Sequence, residues 1–186
     1  MVTLLKSLVQ PKLDYCLQLW SPSDQSSINK LESVQHSLID RIRDSRLAGL
    51  DYWGKLQELR QCSQERRRER YHVIFLWKIS QGMGSGYDVH FTSLRNRRGR
   101  IIVPNPIVNS APAMVRAVSG VRGAQLFNLL PDNLRSMNSE HVDTFRNHLD
   151  VFLSSLPDQP TVTGLGRAAS TNSLLHQLPL FYNLTN

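Results

Sequence analysis

The sequence predicts a mainly α-helical protein, and three observations carry that expectation. Apolar residues advance by threes and fours through most of the chain, as in Ile28, Leu31, Val34, Leu38 and Ile42. Ser or Asp stands where such runs begin, and Gly or Pro stands where they end. Four or five such runs fall within the first 80 residues, joined by short turns, which is the pattern of an all-α unit.

Thr3 to Val9 is a short apolar helical stretch. Gln10-Pro11 interrupts it, and Leu13, Tyr15, Cys16, Leu19 and Trp20 resume helical spacing, so Pro11 opens a second helix or kinks one long one. Ser21-Pro22-Ser23-Asp24 reads as a turn with a cap. The amphipathic helix that follows turns Asn29, Lys30, Glu32, Ser33 and His36 toward water. Ser45 to Leu50 breaks the pattern, with Gly49 as C-cap, and Asp51 caps a short helix carrying Tyr52, Trp53, Leu56 and Leu59.

The organising element is Ser63 to Ser80. Ser63 can cap its first turn, Glu65 sits where a carboxylate favours a helix N-terminus, and neither Gly nor Pro interrupts it before Gly82. Its second half, with Tyr71, Val73, Ile74, Phe75, Leu76 and Trp77, is apolar around most of the circumference and demands enclosure. Its first half carries Arg66, Arg67, Arg68 and Arg70. Four guanidinium groups are costly to bury, so the expectation is a buried helix whose basic end reaches the surface.

From Gln81 the texture changes. Gly82, Gly84 and Gly86 precede Arg95, Arg97, Arg98 and Arg100, and the short extended piece Ile101-Ile102-Val103 ends at prolines. Ala124 to Leu130 reads as a helix stopped by Pro131, and Val142 to Leu156 as an amphipathic helix carrying Val142, Phe145, Leu149 and Phe152. The expected organisation is a helical region over 1–80, a basic linker or loop over 81–120, a smaller helical region over 121–156, and a largely irregular, partly disordered tail over 157–186.

The net charge of +7 is unevenly placed: residues 41–100 hold 14 Lys or Arg against 6 Asp or Glu, and the remainder holds 8 against 9. That asymmetry points to a polyanionic partner. Cys16 and Cys62 are isolated, which suggests reduced thiols rather than a disulfide framework or a zinc site. No run approaches the roughly 18 apolar residues of a membrane span, and no secretory signal pattern is present, so the expected setting is intracellular, cytoplasmic or nuclear.

Several segments together resemble the C-terminal part of reverse transcriptases encoded by non-LTR (LINE-type, jockey or CR1-like) retrotransposons. They are Leu5 to Cys16 with Leu19-Trp20-Ser21-Pro22; Leu31-Glu32-Ser33-Val34-Gln35; Leu50-Asp51-Tyr52-Trp53 to Leu59; Glu65 to Tyr71; and Trp77-Lys78-Ile79. Farther along come Leu126 to Arg135, Thr144 to Asp150, Pro157-Asp158-Gln159-Pro160 and Asn172-Ser173-Leu174-Leu175. The resemblance spans nearly the whole chain, in the family's order. Gly54 and Lys55 depart from it where Glu and Arg are expected, as does Arg60 where a small or polar residue is commoner.

The resemblance implies a thumb-like helical bundle and a post-thumb region. It also implies what is missing, because the family's aromatic-x-Asp-Asp turn has no counterpart and no Asp-Asp pair occurs in the sequence. Polymerisation needs paired carboxylates around two metal ions. The isolated chain is therefore expected to be a truncated, catalytically incomplete piece of an RNA-directed DNA polymerase, without a cofactor of its own, magnesium belonging to the full-length enzyme. Its expected partners are RNA or an RNA/DNA hybrid, held without sequence preference, and the absent palm domain.

Candidate binding residues are Arg66, Arg67, Arg68 and Arg70, with Arg95, Arg97, Arg98 and Arg100 as a second set; arginine contacts phosphates without reading bases. For the helix set the competing expectation is a solvated charge network with Glu65, Glu69 and acidic neighbours. Trp20, Trp53, Trp77 and Tyr71 are expected in the core rather than stacked on bases, and His72, His141 and His148 in structural or surface roles. Cys62 precedes a helix whose dipole and arginines can lower a thiol pKa, with plain burial as the alternative. Two other readings of the whole are a helical protein-interaction module and a gene-model fragment without independent function.

Overall fold

A computed structural model describes residues 2–15, 17, 22, 24–83, 122–138, 141–160 and 172–185. Among them all regular structure is helical. The first element, α1, runs unbroken through Val2–Leu4, a π-helical stretch Leu5–Val9, and Gln10–Asp14. Pro11 sits at the start of the last piece, directly after the widened π-helical turn.

Next come α2 (Gln25–Asp40), a 3-10 turn (Ser45–Leu47), α3 (Tyr52–Glu58) and α4 (Gln64–Ser80). Their starts are the ones read from sequence. Asp24 accepts from the Ser27 amide at 2.8 Å, Asp51 from the Gly54 amide at 2.8 Å, and Ser63 Oγ from the Arg66 amide at 3.1 Å. The second half holds α5 (122–128), α6 (Asp132–Arg135), α7 (Val142–Ser154) and α8 (Leu174–Thr185).

Helix α4 packs against both α2 and α7 and separates two apolar clusters. The smaller joins Leu5 of α1, Ile39 of α2 and Leu56 of α3. The larger gathers the apolar half of α4 with Leu126, Phe127, Leu134, Phe145, Leu149, Leu174 and Leu178. Trp77 lies at its centre, fully buried and stacked on Phe145 with ring centroids 4.6 Å apart, and its indole N–H donates to the Met137 carbonyl at 3.1 Å.

Three expectations are corrected. The buried stripe of α2 is Ile28, Gln35 and Ile39, one position round from the line drawn through Val34, which is 43% exposed. Glu32, assigned to the wet face, turns inward instead. The tail expected to be largely irregular holds a helix, Leu174–Thr185, and Leu174 and Leu178 complete the large core. Composition hid this helix, because Pro179 lies inside it and the residues just before it are rich in Ser, Thr and Gly. The basic loop with Arg95, Arg97, Arg98 and Arg100, the extended piece Ile101 to Val103, and Trp20 lie outside the described residues.

Candidate nucleic-acid interface

The start of α4 decides what its arginines can do. The first amides of a helix lack intrahelical partners and attract anions. Here all four are already taken. The Ser63 amide donates to Asp158 Oδ2 at 2.7 Å, the Gln64 and Glu65 amides donate to Glu32 Oε2 at 2.9 and 3.3 Å, and the Arg66 amide donates to Ser63 Oγ. Glu32 also accepts from the Tyr52 hydroxyl at 2.5 Å. Burial pushes the Glu32 carboxyl above its usual range against the pull of these donors, and burial with the neighbouring Glu32 charge pushes the Tyr52 phenol up. No vacancy for a phosphate remains at this helix end.

One turn on, the glutamates of the same motif hold α8. Glu65 Oε2 accepts from the Asn172 amide at 3.1 Å. Glu69, almost fully buried, accepts from the Leu174 amide at 2.7 Å, from Ser173 Oγ at 2.5 Å and from Arg122 Nη2 at 2.9 Å. Asn172 Nδ2 bridges Ser63 Oγ and Asp158 Oδ1 at 2.9 and 2.6 Å. Thus three segments read separately in the sequence, Ser63 to Arg70, Pro157 to Pro160 and Asn172 to Gln177, meet in one buried polar junction.

The four helix arginines divide. Arg66 and Arg68 are each only 2% exposed, which corrects for these two the expectation that the basic end reaches the surface. Arg66 Nη2 donates to the Pro157 carbonyl at 2.8 Å and to the Gln177 side chain, and Arg66 Nε lies 3.8 Å from Asp158. Arg68 Nη1 reaches the Pro22 carbonyl at 3.4 Å, and burial pulls its pKa down. Neither has a surface to offer a polyanion, because partners contributed by distant chain segments make the burial tolerable.

Arg67 and Arg70 keep 21% and 22% of their side chains exposed. Arg67 Nη1 lies 3.5 Å from Asp14, which also receives the Tyr71 hydroxyl at 3.3 Å. Arg70 is fork-paired with Asp150 at 2.5 and 2.7 Å, and that pairing raises its pKa. The expected charge network forms with other acids: Arg66, Arg67 and Arg70 face Asp158, Asp14 and Asp150, the last pair at the surface, while Glu65 and Glu69 face Arg122 in the buried junction.

Two grooves open beside these residues. The larger, about 930 Å³, is lined by Trp53, Arg60, Cys62, Arg66, Arg67, Arg70, Asp150 and Asp158 among others. The smaller, about 370 Å³, lies between Lys6, Asp14, Arg60 and Arg67. Arg60, Gln61, Cys62 and Arg67 belong to both. Arg60 is exposed on the turn after α3, and Lys6 is exposed on α1. Sequence reading passed over both as binding residues; the available signal was that Arg60 departs from the pattern of the resembled family.

The remaining candidates take structural places. The Cys62 thiol is half-buried and burial pushes its pKa up, outweighing the lowering by Arg67, so it is not an activated nucleophile. His72 is buried with Nδ1 2.8 Å from the Arg68 carbonyl, and burial pulls its pKa down. His148 sits on the surface with Nδ1 2.8 Å from the Thr144 carbonyl. Among the described residues, no group of three or more His, Cys, Asp or Glu is arranged to hold a metal ion, and no helix is long and apolar enough to cross a membrane.

No protein-family model, curated protein or solved structure matches the chain. The all-α architecture and the groove geometry therefore stand on their own, and the segments that carry the reverse-transcriptase resemblance bear on function only through what they build: a locked junction with a cation-rimmed face beside it.

Proposed function

We propose that this chain is the helical, thumb-like part of a retrotransposon-type RNA-directed DNA polymerase, and that it holds an RNA or RNA/DNA backbone without catalysing polymerisation by itself. The observation that carries this reading is the groove beside α4, whose lining includes Arg60, Arg67 and Arg70. Support also comes from the way segments matching the resemblance, over 100 residues apart in sequence, interlock through Glu65, Glu69, Asn172 and Ser173. The buried arginines would then serve by stiffening the platform, while the part-exposed ones and the loop set meet the phosphates.

The test is fluorescence anisotropy with a labelled 20-base-pair RNA/DNA hybrid across about 50–200 mM salt. Binding should weaken steeply with salt, as counterion release requires. Folded protein that leaves the hybrid free at the lowest salt would refute the reading. A primer-extension assay with magnesium should show no turnover, and extension by the purified chain would overturn the assignment of catalysis to a separate palm.

One observation favours a second reading, a helical protein-interaction module. Leu4, Leu8 and Tyr15 of the α1 region are 54%, 59% and 75% exposed. Self-association in sedimentation without affinity for the hybrid would select it.

A further inference from the structure

The turn after α3 contains the single non-glycine residue with positive φ among the described residues, Arg60 at φ 51°. Its setting is a helix stop in which the Gln61 amide donates to the Leu56 carbonyl at 2.9 Å and the Arg60 amide donates to the Gln57 carbonyl at 3.0 Å. This hydrogen-bond pair places the residue after the cap in the left-handed region, where glycine is favoured. The same pair ends α4: the Met83 amide donates to Lys78 and the Gly82 amide to Ile79, at 2.9 and 3.0 Å, and there the position is a glycine with φ 74°. One chain thus solves one backbone problem twice, once with glycine and once with a strained arginine.

That arginine stands where the two grooves join. Of the cations lining them, Arg66, Arg67 and Arg70 face Asp158, Asp14 and Asp150. Arg60 and Lys6 have no acidic partner among the described residues. Behind them, Arg66 Nη1 and Arg67 Nε are buried without a hydrogen-bond partner, so the groove wall holds guanidinium N–H groups left unsatisfied.

We infer that Arg60, with Lys6 and the exposed edge of Arg67, forms an anion site at the junction of the two grooves, whose ligand is the phosphates of a nucleic-acid backbone. The ligand class rests on the nucleic-acid reading above; the site itself rests on the strained arginine and the convergence of the grooves. The side chain is the reason for tolerating the strain, because glycine would give the same turn at lower cost.

The test uses the full chain and the variants Arg60→Gly, Arg60→Lys and Lys6→Gln, with tripolyphosphate and the RNA/DNA hybrid as separate probes. Arg60→Gly should melt about 2–4 °C higher, because the strain is relieved. It should bind tripolyphosphate about tenfold more weakly, and its hybrid affinity should depend on salt with a log–log slope reduced by about one. Arg60→Lys should recover most of the binding without the thermal gain. Lys6→Gln should weaken both probes and leave the melting temperature in place.

A more stable Arg60→Gly that binds both probes as the native chain does would overturn the site while leaving the nucleic-acid reading intact. Arg60-dependent capture of tripolyphosphate without hybrid binding would support the site and remove the nucleic-acid reading instead. Loss of binding in Arg60→Gly accompanied by a lower melting temperature would refute the claim that the arginine is held against its turn.

Discussion

Removing the Glu69 carboxylate is the sharpest probe of the junction. Its two oxygens receive the Leu174 amide at 2.7 Å, Ser173 Oγ at 2.5 Å and Arg122 Nη2 at 2.9 Å. Each hydrogen bond to a charged group is worth about 1.5–3 kcal/mol, but the three do not add. Arg122 retains Glu65 at 3.7 Å, and Ser173 Oγ can still accept from the Leu175 amide. Truncation of one member of a buried charged pair sets the scale, so Glu69→Ala should lose about 3–5 kcal/mol. At about 2–4 °C per kcal/mol for a chain of this size, melting should fall by about 6–20 °C. Glu69→Gln keeps one acceptor oxygen and should lose roughly half as much. Urea denaturation gives the totals, and hydrogen exchange should show amides of Leu174–Thr185 losing protection before those of α4. A Glu69→Ala protein within about 1 kcal/mol of the native chain, with that exchange unchanged, would show that α8 is held by its apolar contacts alone.

Three further outcomes are expected. Burial raises the folded-state pKa of Glu32, so the native chain should lose stability relative to Glu32→Gln as pH climbs from about 4.5 through the raised value, which melting curves of the pair across pH will show. The opposite sign applies to His72, whose folded-state pKa is lowered mainly by burial, with Arg122 and Arg68 also opposing the charged ring. Its contribution is complete above about pH 6.5 and falls as pH drops toward the lowered value, a slope that His72→Gln should flatten in the same experiment. Trp77→Ala should cost about 3–5 kcal/mol in chemical denaturation, whereas Trp77→Phe should cost less, since it mainly leaves the Met137 carbonyl without its donor.

Local signals were legible in the sequence because their physics is local. Asp24, Asp51 and Ser63 cap the helices they precede, Pro131 stands just before Asp132–Arg135, and Phe145 and Leu149 face the core. What escaped reading depends on partners far away in the chain. Nothing near Glu32 announces that it will cap α4, and nothing near Arg66 announces Asp158 or Gln177. The rule that arginines face water failed at Arg66 and Arg68 because a carboxylate, backbone carbonyls and an amide side chain arrive from elsewhere to receive them. For the site the lesson is reversed: two of the three arginines in the conspicuous Arg-Arg-Arg run are buried, while the lone Arg60, in no basic cluster, lines both grooves.

The spacing of the junction along the chain has a consequence for the order of folding. Arg66 finds its acceptors 91 and 111 residues later, and Glu69 finds the Leu174 amide 105 residues later. Contacts of such separation form late, after the entropy of a long loop has been given up. On a ribosome, α4 is complete long before Gln177 exists. During that interval Arg66 lacks the acceptors that receive it in the folded chain, whereas Arg67 and Arg68 already have Asp14 and the Pro22 carbonyl behind them in the sequence.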